Sequence, residues 1–240
     1  MAANTRTITV NAGAMLEFQA PNTFGVPNAT AVPTLVVNSG TVTNADPATT
    51  HAVNNALNNV TLINGTLTST AGASGVLDRG YETYGAWNLN GTVTSSGTSV
   101  ITTTAASNGQ VLLNSSSTNT TFNVTDGTLA VSAVLIDGER GTVPEGYATN
   151  LTKTGTGMLI LSAADTYTGT TIINAGTLAL NGSLSTVTTP TAGNQVTVTA
   201  GATLTGNGDA NNRGLMADGA VAPGNGIGHQ PAVVGVAVAR

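Results

Sequence analysis

Apolar and polar residues alternate along this chain in short runs, and a glycine breaks the alternation at a nearly regular interval. The recurring phrase is an apolar residue, one or two polar residues, Gly, a small residue, then alternating apolar positions. It reads Val10-Asn11-Ala12-Gly13-Ala14-Met15-Leu16, Val37-Asn38-Ser39-Gly40-Thr41-Val42, Ile63-Asn64-Gly65-Thr66-Leu67 and Leu89-Asn90-Gly91-Thr92-Val93. Later copies are Val124-Thr125-Asp126-Gly127-Thr128-Leu129, Ile173-Asn174-Ala175-Gly176-Thr177-Leu178 and Val198-Thr199-Ala200-Gly201-Ala202-Thr203-Leu204. A related phrase, Lys153-Thr154-Gly155-Thr156-Gly157-Met158-Leu159, lies among them. The glycines at 13, 40, 65, 91, 127, 155, 176 and 201 are spaced by 27, 25, 26, 36, 28, 21 and 25 residues.

A period of about 25 residues with strand chemistry is the mark of a solenoid. Each unit reads as strand, Asn/Gly turn, strand, and Thr177-Leu178-Ala179-Leu180 shows the period of two of a half-buried strand. The density of Gly and Thr opposes a helix. One coil of short strands cannot bury its own inward side chains, but stacked coils cover one another and pair their backbone groups. The expected fold is therefore all-β, a right-handed parallel β-helix of eight or nine coils. It would run over residues 1–228, with an irregular C-terminal tail over 229–240. At about 4.8 Å per rung it would form a rod of roughly 40 Å. The 36-residue interval predicts an extra loop at Ser95–Asn108 or Asn114–Thr121, and His51–Val60 reads as a turn.

Composition narrows the functional classes. Only 7% of residues are charged and 3% aromatic, against 40% hydrophobic. That rules out the high-charge, low-apolar signature of disorder. The net charge of −5 includes a single lysine, Lys153, so no basic stripe exists to neutralise nucleic-acid phosphates. No apolar run approaches the roughly 20 residues of a membrane-spanning helix. With no cysteine, disulfides and thiolate metal sites are excluded. His51 and His229 are too far apart in sequence for metal-ligand spacing, and no cofactor motif is present. The N-terminus Met1-Ala2-Ala3-Asn4-Thr5-Arg6 lacks the basic and apolar regions of a signal peptide. An exported chain of this kind is then expected to be a piece of a longer protein or a processed product.

Residues 151–169 read Leu-Thr-Lys-Thr-Gly-Thr-Gly-Met-Leu-Ile-Leu-Ser-Ala-Ala-Asp-Thr-Tyr-Thr-Gly, and 170–180 read Thr-Thr-Ile-Ile-Asn-Ala-Gly-Thr-Leu-Ala-Leu. This stretch resembles the passenger-associated repeat of bacterial autotransporters, whose pattern runs K-x-G-x-G-x-L-x-L-S-G-x-N-T-Y-T-G-x-T-x-I-x-x-G-T-L-x-L. Gly219-Ala220-Val221-Ala222-Pro223-Gly224-Asn225-Gly226-Ile227-Gly228 is similar to a turn that often follows such repeats. The chain departs from the pattern at Asp165, where the family has Asn, and at His229-Gln230-Pro231, where the family continues with a strand. The resemblance implies a passenger exported to the surface of a Gram-negative cell. It also implies a parent protein with an outer-membrane translocator barrel, of which no strand pattern is found here. On that reading this segment does not itself enter the membrane, and its partner is a host surface protein or glycan.

An enzyme remains the alternative. Asp137 and Asp165 each lie ten residues after a repeat glycine, Gly127 and Gly155. In register they would sit about 5 Å apart on adjacent rungs, the separation a retaining carboxylate pair requires. Glu139 and Arg140 stand beside Asp137, as acids and bases do on polysaccharide-processing β-helices. Against this, Asp137-Gly138 is a turn signal and Asp165 occupies a turn position. Tyr81, Tyr84 and Trp87 lie in one irregular stretch and offer rings for stacking on a sugar, or for packing over a solenoid edge. The sequence thus favours a structural surface-display segment, not an enzyme. A carbohydrate-acting β-helix using Asp137, Glu139, Arg140 and Asp165 stands as the alternative.

Overall fold

The computed structural model describes residues 6–24, 32–46, 55–70, 77–78, 82–83, 86–104, 110–113, 118–138, 148–186, 191–211 and 213–223. These form a parallel β-helix. Nine strands stack in parallel on its first face: Thr7–Val10, Thr34–Asn38, Val60–Ile63, Thr92–Ser96, Asn119–Val124, Asn150–Thr154, Thr171–Ile173, Val196–Val198 and Leu215–Ala217. Nine more form the second face: Met15–Phe18, Thr41–Asn44, Thr66–Ser69, Thr98–Ile101, Thr128–Val131, Met158–Leu161, Thr177–Leu180, Thr203–Gly206 and Ala220–Pro223. The coils therefore number nine among the described residues. The 229–240 tail expected from the sequence lies outside them.

The register explains why the strands hold. On the first face Ile8, Leu35, Val60, Val93, Phe122, Lys153, Ile173, Val198 and Ala217 stack directly on one another. On the second face Leu129, Leu159, Leu178, Leu204 and Val221 do the same. These inward columns bury β-branched and γ-branched side chains, while Thr and Asn alternate outward with the period of two that a one-sided strand demands. Lys153 alone interrupts its apolar column with a charge.

Among the described residues a third face of paired strands lies in the middle of the rod, where Asn55–Leu57, Trp87–Leu89, Val111–Leu113 and Leu135–Ile136 pair in parallel, and single bridges at Ala164, Ser183 and Asp209 follow it. The first three of these strands are buried at every position. A strand covered on both sides loses the alternation that marks a half-exposed one. That is why Asn55–Leu57 reads as part of a turn in the sequence and is a strand in the structure.

The repeat glycines need two corrections: Thr128 stacks on Met158 and Met158 on Thr177, so Gly157 and not Gly155 lines up with Gly127 and Gly176, and Gly91 also belongs elsewhere. Gly91 does not occupy the corner that Gly65 and Gly127 occupy. It precedes the first-face strand Thr92–Ser96, whereas the corner between first and second faces is Gly97, with a φ of 64°. The amide of Thr128 donates to the Gly97 carbonyl at 2.7 Å, continuing that corner into the next coil. The corner glycines 65, 97 and 127 are then spaced by 32 and 30 residues, and the apparent 26-then-36 irregularity disappears. An Asn-Gly-Thr phrase is a turn signal at any corner, so the phrase alone does not say which corner it makes. Ser95, Ser96, Thr98–Ile101 and Asn119–Thr121 are strand residues, so neither segment expected as an extra loop is a loop throughout.

Candidate functional site

The described polar side chains converge where the coils over residues 135–138, 163–170, 183–185 and 209–213 stack. Asp137 and Asp165 lie on successive coils, and each reaches to the backbone of the other's coil. Asp137 Oδ1 accepts from the amides of Thr149 at 2.9 Å and Thr168 at 3.0 Å. Its Oδ2 accepts from the Thr168 amide at 3.1 Å and the Thr168 hydroxyl at 2.7 Å. Asp165 Oδ1 accepts from the Leu135 amide at 2.9 Å. These carboxylates satisfy amides that the corners leave without a ladder partner.

Asp165 is only 2% exposed, and its Oδ2 has no hydrogen-bond partner among the described residues. Burial pushes its carboxyl up to about 7, against the opposing pull of the Leu135 amide and the Arg213 charge. Tyr167, two residues on, is fully buried, with its hydroxyl 2.6 Å from Thr171 Oγ1. Burial and the nearby Asp165 both raise its phenol.

Two buried cations complete the picture, and sequence reasoning assigned neither a site. Arg213 is wholly buried, with its guanidinium carbon 5.2 Å from the centre of the Tyr167 ring. It donates to the carbonyls of Gly169 at 2.6 Å and Ser185 at 3.3 Å, and also to Tyr167 O and Ser185 Oγ. Nothing in its neighbourhood in sequence marks it. The signal lies in the carbonyls of two earlier coils that it reaches. Lys153, wholly buried on its apolar column, donates from Nζ to the carbonyls of Thr154 at 2.7 Å, Gly155 at 2.8 Å and Ala175 at 3.1 Å. Burial lowers its amine to about 8, so it remains charged in neutral solution. Its standing as the only lysine was the available clue.

The aromatic candidates divide. Trp87 is 0% exposed, packs edge-on against Phe18 with centroids 5.3 Å apart, and donates from Nε1 to the Thr68 carbonyl at 2.9 Å. Phe18 in turn meets Phe24 at 4.6 Å. A ring without an exposed face offers nothing for a sugar to stack on, so Trp87 belongs to the core. Tyr81, Tyr84, Glu139 and Arg140 lie outside the described residues. Among the described residues no cluster of His, Cys, Asp and Glu is arranged to hold a metal ion, and no helix is long and apolar enough to cross a membrane.

Chemically, this arrangement binds backbone to backbone. Carboxylates meet amides, cations meet carbonyls, and Asp137, Asp165, Arg213 and Lys153 each make at least one bond that joins one coil to another. Comparison with curated proteins and with solved structures finds no match. Residues 151–180, which contribute Lys153, Asp165 and Tyr167 to these contacts, match the family model of the passenger-associated-transport-repeat, and the chain therefore carries a repeat region of the autotransporter passenger type.

Proposed function

We propose that this chain is a structural surface-display segment of an autotransporter-like exported protein, a scaffold that holds loops outside the cell for a host surface protein or glycan to meet. The observation that carries this reading is the continuity of the repeat with the rest of the rod. Within the matched segment, Asn150–Thr154 pairs with Asn119–Val124 on one side and Thr171–Ile173 on the other. Met158–Leu161 is likewise flanked by Thr128–Val131 and Thr177–Leu180. The passenger-type repeat is thus two neighbouring layers of one stack, and its mode of stacking extends to every described coil. A scaffold, as opposed to an enzyme, is supported by the use made of Asp137 and Asp165, whose bonded oxygens accept from backbone amides and a threonine hydroxyl.

The test is export. The chain is placed between a secretion signal and an outer-membrane translocator in a Gram-negative host, and protease is added to intact cells. A display segment is reached by the protease while periplasmic and cytoplasmic markers survive. A chain that stays protected until the cells are lysed rejects the reading.

A further inference from the structure

We propose that Asp165 is a pH-sensitive latch between neighbouring coils: the fold accommodates its carboxyl as the neutral acid, and loss of that proton loosens the stacking of the coils it joins. The geometry supplies the case. The side chain is 2% exposed, its Oδ1 is committed to the Leu135 amide of the preceding coil, and its own amide donates to Ser183 O of the following coil at 2.7 Å. Deprotonation would leave a carboxylate whose second oxygen has no donor among the described residues. A buried charge in that condition is strongly disfavoured unless it is paired.

None of the described groups around it meets that need. On its own segment, the Tyr167 hydroxyl is tied to Thr171. On the preceding coil, Asp137 adds negative charge and is engaged with Thr149 and Thr168. On the far side, Asp209 stacks its backbone over Ser183 and accepts from the Asn211 amide at 2.7 Å. Among the described residues Arg213 carries the opposing charge, and its donors go to the carbonyls of Gly169, Ser185 and Tyr167 and to Ser185 Oγ. Its field moderates the cost at Asp165 without supplying a hydrogen bond.

The direction of the pH dependence follows. The carboxyl is raised in the fold from 3.8 to about 7, so between those values the folded chain holds a proton that the unfolded chain has released. This group's contribution is fully present below the unfolded value, declines across the window, and is lost once pH passes the folded value. The latch is closed in mildly acidic surroundings and open above neutrality.

The experiment compares the full chain with Asp165→Asn, which keeps the shape and cannot ionise. Urea unfolding is followed from pH 4 to pH 8. The wild type is expected to lose ground to the variant by about tenfold in the folding equilibrium per pH unit between about 4 and 7, with a constant difference above that. Carbon-13 NMR titration of the wild-type carboxyl gives an independent reading that does not depend on the variant folding, and the Asp165 signal is expected to move near neutrality. A pH-independent difference between the two proteins overturns the proposal, and so does an Asp165 carboxyl that titrates below pH 5.

Discussion

A charged side chain in an apolar column needs a reason to be there, and Lys153 has one. It stacks between Phe122 and Ile173, so its methylene stem takes the place of a core residue. Its amine then reaches the corner and binds carbonyls from its own coil and from Ala175 of the next. Lys153→Met retains the stem and removes the donor. Three carbonyls then lose a charge-assisted partner, against which the variant gains relief from burying an ammonium. With charge-assisted hydrogen bonds at about 1.5–3 kcal/mol each and the desolvation gain opposing them, we expect a net loss of about 1–3 kcal/mol. Urea unfolding at pH 7 measures it. A variant as stable as the wild type would mean that the stem alone explains the residue. Arg213 makes the same kind of bond from the opposite direction, reaching back to Tyr167, Gly169 and Ser185. Asp165 differs from both, because one of its oxygens is left over.

Coils meet at corners, and corner chemistry sets how closely they stack. Gly127 has a φ of 61°, and a Cβ placed there would lie 2.1 Å from the Gly97 carbonyl of the coil beneath. Gly13 has a φ of 75° but nothing within 4 Å of the same position. Gly13→Ala therefore incurs only the conformational penalty of a left-handed residue, about 1–2 kcal/mol. Gly127→Ala incurs that and a backbone clash as well. Thermal unfolding of the two variants is expected to rank Gly127→Ala clearly below Gly13→Ala, and equal losses would show that the coils separate freely at this corner. Corners also divide what the sequence reveals from what it conceals. The apolar-Asn-Gly-Thr phrase announces a turn, and the alternation after it announces a half-buried strand, so the first and second faces are legible. Asn55–Leu57 is not, because a strand buried on both sides carries no alternation, and nothing in the phrase around Gly91 distinguishes its corner from that of Gly65. Asp137 and Asp165 lie on successive coils, but their equal offsets from Gly127 and Gly155 do not set their register, because Thr128 stacks on Met158 and Gly127 therefore matches Gly157. Where their oxygens turn is decided by which amides the corners leave unpaired, and no spacing records that. Arg213 is silent for the same reason: its partners are carbonyls, which every residue has.

At the scale of the molecule the rod is a one-dimensional stack, and each coil draws its stability chiefly from the coils beside it. Asn119–Val124 is paired along both edges, with Thr92–Ser96 and Asn150–Thr154, and Val111–Leu113 of the same coil is paired on both sides across the third face. Thr7–Val10 and Met15–Phe18 pair on one side only among the described residues, and Met15 is 65% exposed. Opening the first coil exposes one interface, whereas opening a middle coil exposes two and disturbs the third face with them. Unfolding free energy should therefore vary along the rod in place of a single value for the chain. Hydrogen exchange followed by mass spectrometry is expected to show strongest protection over Val93–Leu161 and early exchange over Thr7–Phe18, with intermediate protection at Leu215–Ala222, where the described residues form no third-face strand but Arg213 ties the coil to two earlier ones. Uniform protection from Thr7 to Ala222 would instead make the stack a single cooperative unit, and the stability of each coil could no longer be argued from its neighbours.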